Sequence, residues 1–159
     1  SADVWSVGCL LFEVATGDVL FDPRADAKGA YTRDDDHLAM MVELLGKPPR
    51  RVTQEGKRAR DFFNRSGDLR KIRAGDLHPW DLPSVLEKKY RFPRDQAEPF
   101  AAFLLPMLDF APNARASARS LLAHPWVTEP TPGADLAIAA TPQATPRPSD
   151  AGLTAADAA

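Results

Sequence analysis

A chain of 159 residues with 44% hydrophobic side chains is long enough for one ordinary domain with a core, and a net charge of -2 gives no global attraction to nucleic acid or anionic membrane. Its single cysteine, Cys9, excludes an internal disulfide. That residue lies in an apolar run with no flanking Cys or His, and reads as a small buried hydrophobe in a reducing compartment.

The first predicted element is a helix from Val4 to Thr16, in which Val4, Trp5, Val7, Leu10, Leu11, Phe12, Val14 and Ala15 leave few polar positions. A helix apolar around its whole circumference is expected to be buried on all sides. Ser1 or Asp3 can serve its N-terminal amides, and Gly17 supplies the stop. A loop of mixed charge runs to Arg33. Asp34, Asp35 and Asp36 then precede an amphipathic helical run, Leu38 to Leu45, closed by Gly46 and Pro48-Pro49.

Residues 47 to 79 are rich in bases and weakly periodic, with a short apolar element at Phe62-Phe63 and a turn signal at Ser66-Gly67-Asp68. Trp80 and Leu82 lead into a short helix, Ser84 to Tyr90, with Pro83 near its first turn. Pro93 opens another, Arg94 to Leu108, whose core face is Phe100, Phe103, Leu104, Met107 and Leu108 and whose last turn Pro106 should kink or tighten. Ser117 caps a final helix that reaches about Ala123, before His124-Pro125. No stretch alternates as a β-branched strand would, so the fold class reads as all-α. Over 128–159 Ala, Pro, Thr, Gly and Asp dominate, with Thr-Pro at 131-132, 141-142 and 145-146. So little there can be buried that a disordered tail is expected.

No apolar run reaches the roughly twenty residues needed to span a bilayer and no signal peptide is visible, so the expected setting is cytoplasm and nucleus.

The opening Ser1-Ala2-Asp3-Val4-Trp5-Ser6-Val7-Gly8 resembles the D-x-W-S-x-G start of the central helix of a protein kinase large lobe. Arg115-Ala116-Ser117-Ala118, with His124-Pro125-Trp126, resembles the arginine turn and the H-P-W ending of that lobe's last helix. Between them stand Gly17-Asp18-Val19-Leu20-Phe21, Tyr31 to Leu38, Glu43-Leu44-Leu45-Gly46-Lys47, Gly67-Asp68-Leu69-Arg70, Trp80, Lys89-Tyr90 and Phe103 to Leu108. In this order they resemble the SR-protein kinases over residues 1 to 127.

The resemblance implies the C-terminal half of a protein-kinase large lobe over 1–127. The intact enzyme would use ATP and Mg to phosphorylate serines in Arg-Ser-rich proteins such as splicing factors. It further implies a docking groove for arginine-rich segments, with Asp36 and Glu43 as acidic docking positions, Asp18 as a third, and Trp80 and Lys89 beside them. Asp3, Trp5 and Arg115 would be structural: the Asp bonds the catalytic-loop backbone in kinases, and the Arg pairs with the Glu of the A-P-E motif. No G-x-G-x-x-G, V-A-I-K, H-R-D or D-F-G string occurs in the 159 residues; His37 is not followed by Arg-Asp, and Asp109-Phe110 continues to Ala111. This chain therefore holds no catalytic, cofactor-binding or metal-binding residue of its own.

Spacing is compatible with the docking that the resemblance implies, although the residues by themselves favour a plainer reading. Asp36 and Glu43 are seven apart, which puts them on one helix face about 10.5 Å apart along the axis, and carboxylates so placed can accept successive guanidinium forks. The plainer reading is that Asp34 to Asp36 complement a helix N-terminus and Glu43 is solvated. Arg24 and Lys28 would weaken attraction for a basic peptide. The bases from Lys47 to Arg73, with Phe62 and Phe63 among them, raise nucleic-acid binding as a competing function. There is no RNP motif, zinc spacing or helix-turn-helix pattern, so direct nucleic-acid binding is not expected and a solvated basic face is. His78 and His124 lack partners at ligand spacing, which leaves no metal site. The alternatives are another kinase of the same larger group, or a non-catalytic docking fragment or pseudokinase remnant.

Overall fold

Gly17 ends the first helix of the computed structural model, which describes residues 2–129. Helix α1 spans Ala2–Thr16. Gly17 follows with φ 79° and donates its N–H to the Glu13 carbonyl at 2.8 Å, a left-handed stop that glycine adopts without strain. Burial is confined to one stripe of α1, and the chain by itself exposes an apolar patch. Gly8, Phe12 and Thr16, spaced by four, are the buried positions, whereas Val7, Leu10 and Val14 are 43%, 54% and 75% exposed. The first stripe sits on the core because Gly8 lets the chain at Met107 and Leu108 approach: a β-carbon there would lie 3.1 Å from Met107 Cβ. The second stripe lies on another face, and no described element covers it.

That exposed stripe gives a test. The chain by itself should bind a hydrophobic dye, and Leu10→Ser should reduce the signal while leaving the unfolding free energy within about 0.5 kcal/mol, as for a surface substitution. A wild-type chain that melts cooperatively without binding dye would show the stripe to be covered in solution.

Helix α2 spans Arg33–Leu45 and starts before the apolar run, because Thr32 and Asp35 form a reciprocal capping box. The three aspartates thus lie inside the first turn. Residues 47–79, weak in pattern, hold α3 (Arg50–Glu55), α4 (Ala59–Phe62) and a 3-10 turn at Ala74–Asp76. Helices this short show no hydrophobic face to read. Phe63 and Leu69 form an isolated antiparallel bridge around a turn closed by Gly67, and Thr53, Ala59 and Phe63 anchor the region inward.

Asp81 caps α5 (Leu82–Lys88) by accepting the Ser84 amide. Helix α6 (Arg94–Leu104) tightens into a 3-10 turn over Leu105–Leu108, the expected effect of Pro106. Helix α7 (Ala118–Leu122) is capped by Ser117, as read from sequence. A further turn, α8 (Pro125–Thr128), continues where the sequence reading stopped: His124 accepts the Trp126 amide on Nδ1 at 3.2 Å and restarts the helix.

The core is built from α5, α6 and the 3-10 turn, with Phe12 of α1 inserted; Leu82, Leu86 and Leu104 are fully buried in it. Trp126 closes one end against Phe100 and Phe103, at ring distances of 5.0 and 5.9 Å. Cys9 packs against this core and burial pushes its thiol up, in line with a packing role. No strand occurs among the described residues, so the all-α class holds. No described helix is long and apolar enough to cross a membrane. The expected tail lies outside the described residues apart from Thr128 and Glu129, and so does Ser1 as a cap.

Candidate functional site

Helix α2 carries Asp36 and Glu43, both partly buried, and each is held by a neighbouring segment. Asp36 Oδ2 accepts the backbone amide of Arg24 at 2.7 Å, and Glu43 Oε1 accepts that of His78 at 2.9 Å. The Glu43 carbonyl takes the Trp80 amide at 3.0 Å, which fixes Trp80, 37% exposed, at the end of α2. Glu43 is therefore not the freely solvated group of the plainer reading, while Asp36 still lies in the first turn of α2. Anchoring on one oxygen lowers the entropy lost when a cation engages the carboxylate.

Asp18 and Lys89 come together across the chain. Lys89 Nζ lies 3.4 Å from Asp18 Oδ2 and 4.8 Å from the centre of the Tyr90 ring, and the Tyr90 hydroxyl donates to the same oxygen at 2.9 Å. Burial, followed by the hydrogen bond and charge of Asp18, pushes the Tyr90 phenol far above its usual range. Asp18 thus ties the end of α1 to the end of α5. Its carboxylate is engaged within the chain, and Lys89 partly neutralises it.

An aromatic series sets the start of α2 against α1: Trp5 stacks on Phe21 at 6.1 Å and Phe21 meets the His37 ring at 5.5 Å. His37 is partly buried next to Asp36, and burial pulls its basicity down despite the Asp34 carboxylate. Trp80 is thus tied to the end of α2, and Asp18 to the end of α5. Arg24, expected to repel a basic peptide, has its guanidinium 3.0 Å from Asp22, which offsets part of that charge.

Arg115 donates from Nε and Nη2 to the Asp109 carbonyl at 3.1 and 2.9 Å, and its guanidinium lies 5.1 Å from the Trp5 ring centre. It and Trp5 join the 109–115 turn to α1. Asp3 lies exposed in the first turn of α1.

The strongest polar site was not singled out from sequence. Asp35 is 3% exposed, and its Oδ2 receives Lys71 Nζ at 2.8 Å, the Thr32 amide at 2.8 Å and the Thr32 hydroxyl. Burial pushes this carboxyl up, but the Lys71 and Thr32 contacts outweigh it and hold it below the usual range. Half of this was legible in the Thr-x-x-Asp spacing. Lys71 was not, since 36 residues separate it from Asp35. No group of three metal-capable side chains occurs among the described residues.

Comparison with known proteins bears on the family of the chain. The protein kinase domain model matches residues 1–127. SRSF protein kinase 3 of Homo sapiens is 49% identical over 126 residues, covering 79% of this chain and 22% of that protein. Serine/threonine-protein kinase SRPK of Physarum polycephalum is 47% identical over 131 residues, 82% of this chain and 30% of that protein. Serine/threonine-protein kinase SKY1 of Saccharomyces cerevisiae is 47% identical over 128 residues, 80% and 17% of the respective chains. The chain thus spans less than a third of the length of each of these relatives.

Proposed function

Because the chain belongs to the protein kinase domain family, as a partial domain similar to the SR-protein kinases, we propose that it carries the substrate-docking surface of a serine/threonine kinase. The intact enzyme would phosphorylate serines in Arg-Ser-rich proteins. ATP with Mg supplies the phosphoryl group in that reaction, and the family motifs that hold both are not among these 159 residues. The contribution of this chain is recognition.

One observation supports this reading above the others: Asp36 and Glu43 share a face of α2, and each is anchored on one oxygen by a backbone amide, with Trp80 fixed alongside. Two carboxylates about two helical turns apart can engage two arginines of one extended segment, and the guanidinium fork suits each of them. Lys89 partly neutralises Asp18, so the principal attraction rests on α2.

The test uses substitutions that spare the anchoring amides. Asp36→Asn with Glu43→Gln keeps a carbonyl acceptor for Arg24 and His78 while removing both charges. Titrated with an Arg-Ser peptide, the double variant should bind about 1–3 kcal/mol more weakly than wild type, the range for hydrogen bonds to charged groups. The wild-type affinity should also fall as salt rises. Asp34→Asn, on an exposed neighbour in the same turn, should bind as wild type does. Equal affinities for all three proteins would remove docking from α2 and leave these acids the helix-end role.

A further inference from the structure

Between Lys47 and Arg73 eight of the ten basic side chains, all but Lys57 and Arg73, fall into two groups. Lys47 meets Asp68 at 2.6 Å, Arg51 meets Glu55 at 3.7 Å, Arg58 meets Asp61 at 3.3 Å and Lys71 meets Asp35 at 2.8 Å. Arg50, Arg60, Arg65 and Arg70 instead line one cavity of about 580 Å³, and no acidic residue is among its walls. Among the described residues none of these four pairs with a carboxylate. Arg50 donates to the Gln54 amide oxygen and Arg70 to the Arg60 carbonyl, both at 3.4 Å, so even their internal acceptors are neutral.

The frame that holds them is fixed. Thr53 and Phe63, 2% and 6% exposed, form the inner wall. The Gln54 amide donates to the Arg65 carbonyl at 3.0 Å and ties α3 to the bridged turn, while the Arg70 amide donates to the Phe62 carbonyl at 2.8 Å. A purely solvated basic face would spread such charges apart. Here four guanidinium groups border one concavity, where their positive fields add and planar forks match phosphate oxygens. The volume is that of a small-molecule site.

We propose that this cavity binds a compact polyanion carrying two or three phosphoryl groups. Single-stranded nucleic acid fits less well, because it needs exposed rings for its bases. Phe63 is buried, and Phe62 is covered by the Arg58 guanidinium at 5.2 Å.

Inorganic triphosphate, titrated calorimetrically into the purified chain without Mg, should bind saturably at one site. Arg60→Ala with Arg65→Ala, both exposed positions whose loss should leave the fold intact by circular dichroism, should weaken binding at least about tenfold, as expected for lost charge-assisted contacts. Arg51→Ala with Arg58→Ala removes the same formal charge from the same region outside the cavity and should change the affinity less than about twofold, since exposed ion pairs contribute little. Equal loss in both pairs, or binding that never saturates, would reduce the effect to diffuse attraction and overturn the site. So would a single-stranded RNA that outcompetes triphosphate and weakens equally in the two double variants.

Discussion

Leu104→Ala should lower the unfolding free energy by about 2–5 kcal/mol, the range for truncating a buried leucine. Leu104 is fully buried, ends α6 and begins the 3-10 turn that receives α1. Its side chain therefore belongs to the one cluster that joins α1, α5 and α6. The lost methyl groups remove transfer free energy, and the cavity cannot collapse easily between helices packed on several sides. Such a loss is a large part of the roughly 5–15 kcal/mol that holds a domain together. Leu105→Ala, one residue on and 38% exposed, should change stability by no more than about 0.5 kcal/mol. Denaturant unfolding of the two variants beside wild type measures the contrast. Similar losses at both positions would mean that the core does not close at this junction.

Asp35→Ala should be the most damaging of the charge-removing changes, at about 1.5–3 kcal/mol, the range for hydrogen bonds to a charged group. It removes the acceptor of the Thr32 amide, half of the capping box of α2, and the partner of Lys71. Lys71 is 42% exposed and can turn to water, which keeps the loss below that of a fully buried broken pair. The dependence on pH has a definite sign. Because the Asp35 carboxyl is held below its unfolded value, its contribution is complete above the ordinary carboxylate range near pH 4 and declines as pH falls through the lower folded value. Wild type and Asp35→Asn should thus differ at neutral pH and converge in acid. A constant gap across that window would assign the stabilisation to hydrogen-bond geometry and not to charge. The consequence for function is direct, since α2 carries both Asp36 and Glu43 and any fraying of its first turn displaces Asp36 first.

Most helices were legible because their signals are local. Gly17 stops α1, Ser117 caps α7 and Pro106 tightens the end of α6, each through the conformational bias of one residue acting within a turn. The kinase resemblance was legible for a similar reason: D-x-W-S-x-G and H-P-W are contiguous strings. The spacing of Asp36 and Glu43 follows from the helical repeat alone. Other features depended on contacts between distant residues. α1 could be recognised as apolar all round, but which stripe is buried was decided by Gly8 meeting Met107 and Leu108. The partners of Asp18, Tyr90 and Lys89, were set only by folding, since about seventy residues separate them from it. The bases from Lys47 to Arg73 formed one undifferentiated run; tertiary structure gave four of them carboxylate partners and set four others around a cavity. Local bias acts through the backbone of a few neighbouring residues and is written in order along the chain, whereas the partner of a charge is chosen by packing among segments far apart in sequence.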